Sequence, residues 1–423
     1  MTTNDGGEQL VATAPASVGR TMFWLTLGTL VYMAGQWLLT IIVVRISGQA
    51  TNGQFTLALS SSSVAYAVVL FGMRPFQISD TRREYADGTY LASRAATSVL
   101  AVLVVAASLP FTADVGTLWP VLALFVGFRL TEGWMDVLHG VLQNVDRMRL
   151  AGIALILRAV LECAGFAATL AATQSLVWAV AVMFAISLIA LLVLEWPWSR
   201  RHLDHLPFSQ SGGLRRTFRL LRAVSPLLVA NLAYSVMLFV PRNLIGSVWG
   251  TELLGYYGSI SAPLLLVPVL VSYIYTPFMP LLAEHALSGR RRELARLTVR
   301  ILAAVLGLIG LALVALPFVA PPVLSLMFGP SILAHLDLLW PVAASVSCTA
   351  LVYLGNAVLT ACRRIRWTLV AAIAALVLVL ALSGWLVQAA GPNGASFALI
   401  IGQGVQALVL AAGFLAVLKS LRS

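Results

Sequence analysis

The chain has 423 residues, of which 60% are hydrophobic and only 10% are charged. Soluble domains carry about a quarter charged residues, so this composition excludes an ordinary water-soluble protein. The formal net charge of +11 would suit nucleic-acid binding, but the positions of the basic residues along the chain favour an explanation by membrane topology.

Twelve apolar stretches follow one another along the chain, each long enough to cross a membrane. A helix needs roughly 20 residues to cross the ~30 Å hydrocarbon layer. The stretches are 22–44, 55–73, 93–112, 118–143, 150–171, 175–196, 224–246, 254–280, 298–320, 339–361, 367–389 and 394–418. Lipid allows only helices or closed barrels to span it, and strand-like alternation is absent. We therefore predict an all-α polytopic membrane protein with twelve transmembrane helices.

The second half of the chain repeats the first. Gly48–Phe55 returns as Gly250–Tyr257, with both glycines and the closing aromatic residue at the same places. Val141–Arg149 returns as Val358–Arg366 in the same order. Repeats on this scale define an architecture. Since six stretches fall in each copy, we predict two homologous six-helix lobes.

The basic residues lie on one side of the predicted membrane. All of them except Arg45, Arg129, Arg158 and Arg242 fall in the two tails or in alternate loops. This positive-inside bias places both termini in the cytoplasm and explains the net charge without nucleic acid. We predict a multi-pass protein of the cell (inner or plasma) membrane.

The repeat and the loops together give the predicted domain organisation. Residues 1–20 are small and polar and predict a disordered cytoplasmic tail, and 21–198 form the N-terminal lobe. Residues 199–222 form a basic cytoplasmic linker, and 223–423 form the C-terminal lobe.

Five charged residues lie inside two neighbouring spans. Arg129, Glu132 and Asp136 share one face of the fourth span, and Arg158 and Glu162 share one face of the fifth. Charges at this depth are costly unless they face protein or water, so they are functional candidates. If the two faces meet, one carboxylate is surplus and is free to bind a proton or cation. The set is either a coupling or charge network or a structural lattice of ion pairs.

Two further arginines precede the repeated glycine segments. Arg45 and Arg242 lie near the outer ends of the first and seventh spans, and Asn231 and Tyr234 lie on the same helix as Arg242. A guanidinium offers forked donors that suit a phosphate. We predict these four residues, with Arg74 at the cytoplasmic mouth, as a substrate-binding set. The alternatives are snorkelling for Arg45 and a purely topological charge for Arg74.

Signatures of catalysis and of metal binding are missing. Lys419 is the only lysine, so a phosphate-binding Gly-Lys-Ser/Thr loop is absent. The five histidines and three cysteines form no metal-ligand spacing. We predict no catalytic residues, no metal, no cofactor and no enzymatic activity.

Several segments resemble polysaccharide flippases. Gly48–Phe55 and Gly250–Tyr257 are similar to the Gly-Pro-Glu-x-x-Gly-x-Tyr segment of Wzx-type proteins of the multidrug/oligosaccharidyl-lipid/polysaccharide (MOP) exporter superfamily. Leu326–Pro330, Gly391–Ser396 and Arg242–Gly250 also resemble that family. Members often carry an acidic residue where this chain has a proline, before Arg242, so no acid is inherited there.

The resemblance implies two six-helix lobes around a central cavity, of the kind found in multidrug exporters of the MATE type. It further implies a flippase that moves polyprenyl-pyrophosphate-linked oligosaccharide from the inner to the outer leaflet by alternating access. The expected partners are this glycan lipid and membrane lipids, with H+ or Na+ as candidate coupling ions. We expect a functional monomer.

Two other functions remain open at this stage. A MATE-type, ion-coupled drug or metabolite exporter would use Glu132, Asp136 and Glu162 as its acidic site. A membrane glycosyltransferase or glycan polymerase would need sizeable outer loops with acidic residues or a metal site, and the predicted outer loops are mostly short.

Overall fold

The computed structural model describes residues 15–80, 84–108, 110, 115–203, 213–264 and 266–421, and these residues are almost entirely helical. The helices are α1 Pro15–Leu70, α2 Met73–Ser79, α3 Asp87–Ser108, α4 Val115–Asn144, α5 Met148–Thr173, α6 Leu176–Ala190, α7 Trp196–Arg200, α8 Gly213–Trp249, α9 Thr251–Leu264, α10 Leu266–Tyr275, α11 Met279–Leu287, α12 Arg291–Phe328, α13 Leu339–Ala361, α14 Ile365–Ala390 and α15 Asn393–Ser420. A π-helical segment joins α6 to α7, and 3₁₀ segments precede α11 and α13. The described ranges contain no strand, which confirms the predicted helical class.

Ten helical stretches of the described chain are long and apolar enough to cross a membrane. The first of them runs through Gly48, where the backbone leaves the helical region, so it contains two of the predicted spans. Helix α4 is not among the ten, although its 30 residues are long enough to span, and it carries Arg129, Glu132 and Asp136. The ten stretches confirm a polytopic helical protein, and the count of twelve stays a prediction.

The repeated glycines interrupt the long helices at equivalent points. Gly48 has φ 82° and Gly250 has φ 86°, values that glycine adopts at little cost and other residues rarely adopt. Each glycine ends one span and starts the next, so the chain reverses direction there. We call the end of the bundle at Gly48 and Gly250 the glycine end, and the opposite end the basic end.

The second repeat also forms the same turn twice. Asp146 and Arg363 occupy matching positions and have φ 57° and φ 56°. The amide of Arg147 donates to the carbonyl of Leu142 at 2.8 Å, and the next residue after Arg363 donates to Leu359 at 2.9 Å. Two copies of one sequence therefore fold into one backbone turn, as the predicted duplication requires.

Apolar clusters hold each half together, and two clusters combine residues of both halves. One lies near the glycine end, and in the other Leu220 and Val224 of α8 pack with Phe71 and Met73 near the basic end. Leu39, Phe125 and Phe166 belong to a buried cluster within the first half, and Val305 and Leu359 belong to one within the second. A third cluster combines residues of both halves near the glycine end, namely Val44, Leu57, Leu118, Ile245, Leu254, Phe328 and Val387. The halves are thus packed together at the glycine end.

The predicted tail and linker lie partly outside the described residues. Of the predicted tail, residues 1–14 lie outside the described part of the chain, and Pro15 and the residues after it belong to α1. Of the predicted linker, residues 204–212 lie outside it, and Gly213 and the residues after it belong to α8. Leu220 and Val224 are fully buried on one face of this first part of α8, so the segment is an amphipathic extension of the seventh span.

The eighth span is rich in proline and passes through a 3₁₀ segment, Thr276–Phe278, near its end. Pro263 is the last residue but one of α9, and Pro268 lies in α10; a 3₁₀ segment that contains Pro277 follows. Proline lacks the donor that would continue the helical ladder, so these residues permit bends.

We expect the double substitution Pro263→Ala/Pro268→Ala to straighten the eighth span and slow transport without loss of folded protein. Alanine restores two backbone donors and removes the sites at which the span bends. Transport rate and the yield of monodisperse protein would be measured together. A transport rate equal to that of the wild type would show that bending of this span is not used in the cycle.

Candidate functional site

One face of α4 lines a charged cavity in the first half of the chain. The cavity has a volume of about 250 Å³, and its polar lining consists of Thr29, Tyr32, Tyr66, Arg74, Glu132, Asp136, His139 and Arg158. Of the residues predicted for the network, Glu132, Asp136 and Arg158 line the cavity. Arg129 contacts Glu132, and Glu162 contacts Arg158, without lining the cavity themselves. We call this space the charged cavity.

Glu132 is the central acid of the charged cavity. Its side chain is 6% exposed, and its two oxygens accept hydrogen bonds from Arg129 Nη1 and from the Tyr32 hydroxyl. The guanidinium of Arg129 also lies 4.9 Å from the ring centre of Tyr66. A buried carboxylate requires such partners, because an unpaired charge in a low dielectric is strongly disfavoured.

Arg158 and Glu162 form a buried ion pair on α5. Arg158 Nη2 lies 3.0 Å from Glu162 Oε1, and Nε donates to the same oxygen at 3.1 Å. Arg158 also donates to Ser187 Oγ of α6 at 3.1 Å and lies 5.0 Å from the ring centre of Tyr32. The pair therefore ties α5 to α6 and to α1, and through Tyr32 it reaches Glu132.

Asp136 contacts two arginines, Arg94 and Arg74, which lie outside α4 and α5. Arg94 Nη2 donates to Asp136 Oδ2 at 2.9 Å, and Arg74 Nη1 lies 3.6 Å from Oδ1. Arg94 on α3 is fully buried, although the sequence places it among the topological charges of a loop. With Arg94 and Arg74 counted, Glu132, Asp136 and Glu162 each contact a guanidinium. The expected surplus carboxylate does not occur in this arrangement.

A histidine and a glutamate extend the network toward the basic end. His139 Nε2 lies 3.0 Å from Glu195 Oε2, and the two side chains are 5% and 1% exposed. His139 continues the face of α4 three residues after Asp136, and Glu195 lies in the π-helical segment after α6.

A second set of contacts closes the glycine end between the halves. Asn52 Nδ2 donates to the carbonyl of Gly255 at 2.9 Å and to Ser259 Oγ at 3.0 Å, and Ser259 donates to Gln49 Oε1 at 3.0 Å. A Cβ on Gly53 would lie 1.7 Å from the carbonyl oxygen of Thr251. Only glycine permits this approach, so the repeated motifs are the contact surface of the two halves. We call Gln49, Asn52, Gly53, Gly255 and Ser259 the glycine latch.

Arg45 and Arg242 each reach across to the other half. Arg45 Nε donates to the carbonyl of Met327 at 2.8 Å, and its Nη2 donates to that of Leu326. Arg242 Nη1 donates to Ser60 Oγ at 3.1 Å. Arg45 is exposed and Arg242 is half-buried. The two predicted substrate arginines therefore both bridge the halves on the same side as the glycine latch.

The predicted substrate set is divided by the structure. Arg74 lines the charged cavity beside Asp136, whereas Arg45 and Arg242 contact the opposite half. Asn231 is exposed on α8, and the ring of Tyr234 lies 6.0 Å from that of Tyr353 on α13.

Several residues of the charged cavity had no place in the sequence prediction. His139 could have been found from the spacing on α4, and Glu195 from its position at the end of an apolar span. Tyr32 and Tyr66 carry no such signal, because tyrosine is common in membrane helices. Their role follows only from the packing of α1 against α4 and α5.

The fold is that of MOP-superfamily transporters. A multidrug-resistance MATE family transporter in its inward-facing conformation is 14% identical, with 95% of this chain and 99% of that chain covered and a TM-score of 0.71. An outward-facing MATE family transporter is 15% identical, with 96% of each chain covered and a TM-score of 0.58. A mutant of the MATE transporter VcmN from Vibrio cholerae is 14% identical, with 96% of this chain and 97% of that chain covered and a TM-score of 0.61.

Residues 18–285 match the family described as polysaccharide biosynthesis protein. The chain therefore belongs to that family, and the resemblance to Wzx-type members of the MOP superfamily is confirmed. No curated protein sequence matches the chain.

Proposed function

We propose that the chain is a flippase that moves polyprenyl-pyrophosphate-linked oligosaccharide from the inner to the outer leaflet of the cell membrane. It works by alternating access between two six-helix lobes, 21–198 and 223–423, with both termini in the cytoplasm. It acts as a transporter and not as an enzyme. Membership of the polysaccharide biosynthesis family supports this class of cargo.

The observation that carries the proposal is the placement of Arg45 and Arg242. Each guanidinium comes from one half and donates to polar atoms of the other half. When the halves part, these donors lose their partners and can bind a phosphate between the halves, since arginine stays charged and offers forked donors. Cargo binding and closure of the halves would then compete for the same arginine donors.

The closed glycine end supports a state that is accessible from the basic end. The glycine latch and the shared apolar cluster join the halves at the glycine end. The TM-score is also higher for the inward-facing MATE transporter, 0.71, than for the outward-facing one, 0.58. We assign the glycine end to the outer leaflet, as the positive-inside bias predicts.

The charged cavity is the candidate for coupling to H+ or Na+. Its acids Glu132 and Asp136 are paired with arginines here, so an ion would have to displace a guanidinium or protonate a carboxylate. A structural lattice of ion pairs is the competing role, and variants that remove one or both charges of the Arg158–Glu162 pair separate the two.

The test is export of surface glycan in a strain that lacks this gene. We expect Arg242→Ala to reduce export by about tenfold or more, which corresponds to about 1.4 kcal/mol, and Arg45→Ala to reduce it less, because Arg242 is the more buried of the two. Normal export in the strain without the gene would rule out the flippase. Wild-type export by both variants would rule out an arginine headgroup site.

An ion-coupled exporter of drugs or metabolites is the alternative, and the acidic residues of the charged cavity favour it. In that case Glu132→Gln and Asp136→Asn would abolish efflux of cationic dyes from cells that express the protein. Dye efflux that is absent from the wild type would remove this alternative.

A further inference from the structure

An apolar groove lies between α1 and α5 of the first half, outside the charged cavity. Its volume is about 700 Å³, and it is formed by α1 and α5 of the first half with Met327 of α12 from the second. Val31, Ala34 and Leu38 line the groove on the α1 side, and Ala164 lines it on the α5 side. Both helices belong to stretches that can cross a membrane, so the groove opens within the hydrocarbon region.

The small residues of the groove give it its depth. Gly35 and Ala159 form part of the floor, where a Cβ on Gly35 would meet both Ala159 Cβ and Cys163 Sγ at 3.3 Å. No charged side chain is among the described residues that line the groove. Its size falls within the range of roughly 300–1,000 Å³ that is usual for ligand pockets. Such a lining fits hydrocarbon, and its one indole donor, Trp37 Nε1, has no partner among the described residues.

A guanidinium lies at the glycine end of the groove. Arg45 follows Ile41 and Ile42 of the groove by one helical turn, and its Nε donates to the carbonyl of Met327, which also lines the groove. Arg45 is exposed and has five N–H donors, of which two serve the carbonyls of Leu326 and Met327. The remaining donors can hold an anionic headgroup at this mouth.

We propose that the groove binds the isoprenoid chain of a polyprenyl phosphate, with the phosphate at Arg45. The apolar lining and the adjacent cation together match a ligand with one hydrocarbon chain and a negative head. This inference rests on the proposed function for the identity of the lipid, and it adds the place where the chain lies. Because Met327 comes from the second half, the groove changes shape when the halves separate, so the chain is held while the glycine end is closed.

The experiment measures lipid binding to the purified full-length chain. The probes are a long-chain polyprenyl phosphate, the matching polyprenol and phosphatidylglycerol. We expect Ala164→Phe, which fills the groove, to weaken binding of the polyprenyl phosphate by about tenfold or more. Ala168→Phe is the matched control, because Ala168 is an alanine one turn further along α5 that does not line the groove. Ala34→Phe fills the groove from α1 and covers the case in which the first variant does not fold.

The headgroup is tested separately with Arg45→Gln. This variant should weaken binding of the polyprenyl phosphate several-fold and leave binding of the uncharged polyprenol unchanged. Equal affinities for the phenylalanine variants and the control would overturn the groove as the site. If phosphatidylglycerol binds as tightly as the polyprenyl phosphate and responds equally to Ala164→Phe, the site serves anionic lipid in general and the isoprenoid assignment is wrong.

Failure of this inference and failure of the flippase proposal give different results. If glycan export depends on the gene but the purified protein does not bind polyprenyl phosphate selectively, only the groove assignment is wrong. If the protein binds polyprenyl phosphate selectively but glycan export does not need the gene, only the flippase proposal is wrong.

Discussion

Gly53→Val should hold the glycine end open. A Cβ at this position would lie 1.7 Å from the carbonyl oxygen of Thr251, and backbone at that distance cannot be avoided by rotation of a side chain. Overpacking of this kind costs about 1–3 kcal/mol or more, which is enough to change the ratio of two conformations by about tenfold per 1.4 kcal/mol. Gly255→Val should act in the same way, since its Cβ would meet the carbonyl oxygen of Gln49 at 1.9 Å.

The distance between spin labels at Ala50 and Ser247 would report the change, in a variant whose three native cysteines are replaced by alanine. Both sites are exposed at the glycine end, one in each half. We expect a longer distance in Gly53→Val than in the wild type, and at least roughly a tenfold loss of transport. Gly307→Val is the control, because no atom lies within 4 Å of its Cβ position. An unchanged distance in a transport-competent Gly53→Val variant would show that the latch does not set the conformation.

Arg158→Met should destabilise the protein by about 3–5 kcal/mol, because it leaves the buried Glu162 without its cation. Both side chains are nearly fully buried, at 2% and 1% exposure, so water cannot take the place of the guanidinium. The double variant Arg158→Met/Glu162→Met removes both charges. Since replacement of a buried pair by apolar residues is often neutral or better, the double variant should regain most of the lost stability.

Unfolding of the purified variants in detergent measures this stability, and glycan export by the same variants gives the functional comparison. If the double variant is stable and exports normally, the pair is a structural lattice. If it is stable but does not export, the pair takes part in coupling. A single variant as stable as the wild type would contradict the burial of the pair.

The charged faces of the fourth and fifth spans could be predicted from the sequence, because residue spacing alone decides which side chains share a face of a helix. Glu132 and Asp136 share a face by their positions alone, and Arg158 and Glu162 likewise. The partners on other helices could not be predicted in this way. Arg94 lies at the start of a span beside other basic residues, and its burial against Asp136 depends on how α3 packs against α4.

For the repeated glycines, too, the local turns could be predicted from the sequence and the contacts between the halves could not. The turns at Gly48 and Gly250 follow from the sequence, because glycine allows a positive φ. The contact of Gly53 with Thr251 joins residues of different halves, and no single segment contains it. Sequence periodicity thus gives the helices and their charged faces, while the closure of the glycine end requires the packing of the two halves.

The glycine latch has unequal chemistry in its two copies. In the repeat, Asn52 corresponds to Leu254, so one copy inserts an amide where the other inserts an apolar side chain. Asn52 Oδ1 and Gln49 Nε2 are buried and have no partner among the described residues. Each such atom costs about 1–3 kcal/mol, and water recovers this on opening. Separation of the halves at this end must therefore take up water, and excluded osmolytes such as sucrose should oppose it. The equilibrium between closed and open states therefore depends on the water activity at the glycine end.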